Sequence, residues 1–133
     1  TRVCGVKMMS KIAPLGVVEP IRVDAGRIQN IVTELGEVAA EGVIQMALEQ
    51  MATSVEDLLD SARRRDDAAI VTQAERLSRL AWQIGLVSLA GVAIDVADCA
   101  RRNEAVALTA TLARAVRVAN RSLTEIWDEV SGL

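Results

Sequence analysis

From Asp24 onward, apolar residues recur at intervals of three and four, and no stretch alternates singly between hairpin-turn signals. That period predicts an all-helical domain. Asp24 reads as an N-cap, and Ile28, Ile31, Val32 and Leu35 follow it as a short stripe that Gly36 brings to a stop. A longer helix then runs to about Arg65 through Val43 or Ile44, Ala47 or Leu48, Met51, Val55, Leu58, Leu59 and Ala62. Gly42 weakens its first turns by about 1 kcal/mol relative to Ala, which allows a start near residue 41 instead of 37.

Asp66 and Asp67 cap a third helix, whose inward residues are Ile70, Ala74, Leu77, Ala81 and Ile84 and whose end is Gly85. The run Arg63 to Arg65 before that cap and the two Asp within it complement the dipoles of the helices they join. A fourth helix, from about Val87 to Arg102, turns Leu89, Ala90, Ala93, Val96, Ala97 and Ala100 inward. A fifth starts after Asn103 and continues to about Val130, with Leu108, Leu112, Ala115, Val116, Ala119, Leu123 and Ile126 on its apolar side. Connections this short force consecutive helices to lie antiparallel. The expected architecture is therefore an up-and-down four-helix bundle with a short additional N-terminal helix. Residues 1–23 hold Pro14, Gly16 and Pro20 without a sustained period, and read as a partly extended arm on the domain formed by residues 24–133.

At 133 residues the chain is long enough for one core without staples. Apolar residues make up 51%, yet there is no Phe or Tyr and only Trp82 and Trp127 are aromatic, so the core is built from small aliphatic side chains that suit close helix packing. A net charge of -3 offers no basic field for phosphate backbones, which argues against nucleic acid as a partner. No run of about 18 uncharged apolar residues is present, so no membrane span is expected. Lys7 and Lys11 break up the only segment resembling a secretory leader, and a cytoplasmic location is the expectation. Cys4 and Cys99 are too few for a disulfide framework and have no metal-binding spacing; Cys99, on a helical pattern, reads as a small core residue.

Histidine is absent altogether. Its absence removes Ser/His/Asp and Cys/His nucleophilic arrangements and helical di-iron sites of the Glu-x-x-His kind. No pair of carboxylates stands apart from ordinary helix-surface charge, so neither an enzyme, nor a metal centre, nor a bound cofactor is expected.

The third helix carries one unusual face. Glu75, Ser78, Arg79 and Trp82 fall within about a third of the helix circumference, opposite the apolar side, with Arg76 and Gln83 at the flanks. Glu75 and Arg79 stand at i and i+4 in the favourable order, a pair that contributes about 0.3–0.5 kcal/mol when exposed. Trp and Arg are also the residue types most enriched at binding hot spots. Two arrangements are open for this face: a docking surface for a partner, or a solvated ion pair with Trp82 packed under the arm or the end of the first helix. Trp127, among Leu123, Ile126 and Val130, is expected to pack at the bundle end.

Between about Pro20 and Val118 the chain resembles the histidine-containing phosphotransfer (HPt) domains of two-component phosphorelays. PIRVDAGRIQNIVTELG is similar to the opening helix of that family, and ALEQMATSVEDLLDSARRRDDAAIVTQAERL to its long helix, acidic turn and approach to the phosphorylated helix. AERLSRLAWQIGLVSLAGVAIDVADCARRNEAVAL resembles the stretch around its His-x-Leu-Lys-Gly signature. In that alignment Leu77 matches the signature Leu and Gly85 the helix-ending Gly, while the family's phosphorylated His, Lys and Gly fall on Glu75, Ser78 and Arg79. The framework is kept and the phosphotransfer residues are replaced. A phosphorelay needs an imidazole nitrogen to take the phosphoryl group, and with no histidine in the chain the resemblance implies a non-transferring member. It implies binding to a response-regulator receiver domain or a sensor histidine kinase through Glu75, Arg76, Ser78, Arg79, Trp82 and Gln83, by a monomer or weak homodimer. The alternative expectation is a structural or dimerising helical bundle with no remaining phosphorelay role.

Overall fold

The computed structural model describes residues 20–131, with side chains through residue 129. Most of the expected arm, residues 1–19, lies outside the described residues, as does Cys4. Five helices make up nearly everything else: α1 (Ala25–Leu35), α2 (Glu37–Arg63), α3 (Asp67–Gln83), α4 (Val87–Arg101) and α5 (Ala105–Ser131). No strand occurs among the described residues.

The caps expected from the sequence form. The Asp24 carboxylate accepts from the Gly26 N–H at 3.0 Å, and that of Asp66 accepts from the Ala69 N–H at 3.1 Å. Each satisfies an amide that its helix leaves free. Gly36, at φ +83°, ends α1 and starts α2 within one residue: its N–H donates to Val32 at 2.8 Å, and its carbonyl accepts from Ala40 at 2.9 Å. α2 therefore begins at Glu37 and not near residue 41. Ala40 and Ile44 are both fully buried, so packing in these first turns outweighs the roughly 1 kcal/mol that Gly42 costs.

The three remaining connections share a single geometry. In each, one residue takes a left-handed conformation (Arg65 at φ 55°, Gly85 at φ 84°, Asn103 at φ 55°) and the next amide reaches back five residues. These bonds run from Asp66 to Ser61 at 3.1 Å, from Leu86 to Ala81 at 2.9 Å and from Glu104 to Cys99 at 3.1 Å. This is the closing pattern in which a helix uses a left-handed residue to satisfy its last carbonyls and reverse the chain.

Contacts between helices link α2 with α3, α3 with α4, α4 with α5 and α5 back to α2, and α1 packs on α2. The α3–α4 seam is the most extensive, and the small side chains there explain why: Ala74, Ala81, Ala93 and Ala97 have no exposed surface. Such side chains bring two helix backbones close together. Larger aliphatics fill the centre, among them Ile44, Met51, Leu58, Leu77, Leu89, Val96 and Ile126. Ile44 is inside and Val43 outside, which settles the register of α2. Cys99 is buried as a free thiol. Trp127 departs from expectation: it keeps 47% of its surface exposed, as the last turns of α5 pack only one side.

Candidate functional site: the outward face of α3

The core side of α3 is set by Ile70, Ala74, Leu77 and Ala81, all buried. At about 100° per residue the direction opposite them is centred on Thr72, Arg76, Arg79 and Gln83, and these four are exposed. Trp82 lies at one margin of this face and Glu75 just inside it. The outward face is thus rotated from the stripe expected from the sequence. Arg76 and Gln83, expected at the flanks, are central, and Ser78 is off the face altogether.

Ser78 is a correction to the expected partner-binding set. It is buried at 9% exposure, and its hydroxyl donates to the Ala90 carbonyl of α4 at 2.9 Å. A hydroxyl at this point fits the narrow seam between α3 and α4 while supplying a bond to a carbonyl that the seam removes from water. The second correction concerns Glu75, which does not pair with Arg79. Its carboxylate is bonded to the guanidinium of Arg101 on α4, and Arg101 also binds Asp98 at 3.1 Å. Glu75 is half-buried against α4, so the guanidinium across the seam lies closer than the one a turn along its own helix.

With Glu75 neutralised in this way, the charge left on the outward face is positive. Arg76 and Arg79 make no ion pair among the described residues. A third cation, Arg27 of α1, joins them at the margin. Its guanidinium lies 5.4 Å from the centroid of the Trp82 ring, and its Nη1 donates to the Trp82 carbonyl at 2.9 Å. The cation thereby meets the negative face of the indole and the Trp82 carbonyl in the last turn of α3, which also accepts from the Gly85 N–H at 3.2 Å. Trp82 nevertheless remains 53% exposed. Of the arrangements left open by the sequence, packing against the first helix is met on one side only: α1 holds one face of the indole, while packing under the arm lies outside the described residues.

The chain just before α1 fixes this corner. The Asp24 N–H donates to the Gly85 carbonyl at 2.7 Å, and Arg22 and Ser88 exchange two bonds, from Arg22 N to Ser88 Oγ at 2.7 Å and from Ser88 N to Arg22 O at 3.3 Å. Gly85 is required twice over. It holds a positive φ, and a Cβ there would come within 2.7 Å of the Asp24 carbonyl oxygen. The helix-ending glycine therefore also provides the place where α1 crosses the end of α3.

Arg27 and Arg101 are the participants that sequence reasoning missed. They lie 55 and 26 residues from their partners, and no local period signals a contact over such separations. Among the described residues no group of three or more His, Cys, Asp or Glu could hold a metal ion, and no helix is long and apolar enough to cross a membrane. No protein-family model matches the chain, and no curated protein and no solved structure matches it either.

Proposed function

We propose that this chain is a non-transferring, HPt-like docking module of two-component signalling, arranged as an antiparallel up-and-down four-helix bundle with a short N-terminal helix. It binds a receiver domain or a sensor-kinase domain in the cytoplasm through the outward face of α3 and alters signalling by occupancy. Supporting the arrangement are the lengths and order of the helices and the closed circuit of contacts from α2 through α5. Supporting the loss of transfer is the absence of histidine, since a carboxylate such as Glu75, already paired with Arg101, is a weak nucleophile.

The observation that carries the docking reading is the combination on one helix of Arg76 and Arg79, which make no ion pair among the described residues, with the half-exposed and oriented Trp82. An aromatic anchor beside arginines suits a partner surface with carboxylates around an apolar pocket. On this reading the partner-binding residues are Arg27, Arg76, Arg79, Trp82 and Gln83. Incubation with phosphorylated receiver domains of the source organism tests the non-transfer half. The chain should stay unlabelled at all times while retaining the receiver in a pull-down; label on the chain would contradict it.

A second reading, a structural or dimerising bundle, is favoured by a different surface. Around the α1–α2 corner Leu35, Val38, Val43 and Met46 are exposed, Val38 at 87%. Sedimentation equilibrium separates the two: a dimer that dissociates on Val38→Glu and Met46→Glu, with no receiver retained, would favour this second reading.

A further inference from the structure

A cleft of about 710 Å³ opens where α2 ends and where α3 and α5 begin. Its walls include Leu59, Ile70, Leu108 and Leu112, and Arg63, Arg65 and Asp67 also line it. The volume is within the range of open clefts that take small organic ligands. The run Arg63–Arg65 is divided by the fold: Arg64 is engaged with Asp60 at 3.0 Å and Asp66 at 3.9 Å, while Arg63 and Arg65, which line the cleft, form no ion pair among the described residues. Two guanidinium groups without an ion pair among the described residues and one carboxylate thus line the cleft beside an aliphatic surface. The first turn of α5, at Ala105, is on the same wall and presents the positive end of its helix dipole.

We propose that this cleft binds a single-chain amphiphile with an anionic head, of the medium-chain carboxylate class. The aliphatic wall takes the alkyl chain out of water, and the arginines hold the carboxylate through paired N–H donors. A neutral lipid would offer the guanidinium groups no charged acceptor in place of water, and a cationic amphiphile would be repelled by them. The site shares no residue with the outward face of α3, so it stands or falls independently of the docking reading.

The test is a titration of the full chain with sodium decanoate below its micellar concentration, followed by amide chemical shifts. Saturable shifts are expected at Ala62, Ile70, Leu108 and Leu112, with none at Thr72, Arg76 or Gln83. The double variant Arg63→Gln/Arg65→Gln, with both changes at exposed positions, should keep its circular-dichroism spectrum and bind decanoate at least about tenfold more weakly. Decyltrimethylammonium should cause no saturable shift. Absence of saturation with decanoate, equal binding of decyltrimethylammonium, or unchanged affinity in the double variant would each overturn the proposal.

Discussion

The Ser78 hydroxyl donates to the Ala90 carbonyl at 2.9 Å inside the α3–α4 seam, so position 78 belongs to the packing of two helices and not to a binding surface. Ser78→Ala should cost about 0.5–1.5 kcal/mol, the net worth of one such bond. Ser78→Lys, which would place the Lys of the HPt signature here, should cost more, because its ammonium enters a seam lined by alanines. Thermal melts of both variants check the order. Equal or raised melting temperatures would show that Ser78 is not confined as described.

Gly85 and Gly42 should respond oppositely to alanine. At Gly85 the side chain would meet the Asp24 carbonyl oxygen and strain a positive φ, so Gly85→Ala should destabilise by about 1–3 kcal/mol. Gly42 is helical with open space where a Cβ would go, so Gly42→Ala should stabilise by roughly 0.8–1 kcal/mol. Urea unfolding of the two variants reads both signs. A neutral Gly85→Ala would mean that α1 does not cross the end of α3.

Arg27 shields one face of Trp82. In a Trp127→Phe background, where Trp82 is the sole fluorophore of its kind, Arg27→Ala should increase acrylamide quenching. It should also lower stability by about 1 kcal/mol through loss of the cation–π contact and the bond to the Trp82 carbonyl. Unchanged quenching would place the indole elsewhere.

These variants also mark how far the sequence could be read. Helix positions were legible because the signals that set them are local: Asp24 and Asp66 bind amides two and three residues ahead, and Gly36 and Gly85 occupy the positive φ that ends a helix. The inward residues of α3 and α4 followed from period alone. The site was only half legible. Periodicity gives the direction of the core but not where a neighbouring helix touches the margins of a stripe, and Ser78 and Glu75 are both at the margin that α4 covers. Arg76 and Arg79 could be named as surface residues, yet the pairing of Glu75 with Arg101 on another helix, in place of Arg79, has no local signal. Gly42 is a weak guide to the start of α2 for a similar reason, because a local cost near 1 kcal/mol is small beside the burial of Ala40 and Ile44.

The central claim is that the arginine and tryptophan face of α3 binds a receiver or sensor-kinase domain. Its most direct measurement is a calorimetric titration of the chain with the receiver domain it retains, repeated with Trp82→Ala and with Arg79→Glu. Each variant should keep the wild-type fold and weaken binding at least about tenfold, or 1.4 kcal/mol, as expected for an aromatic anchor and a charge facing carboxylates. Wild-type affinity in both variants would contradict the claim.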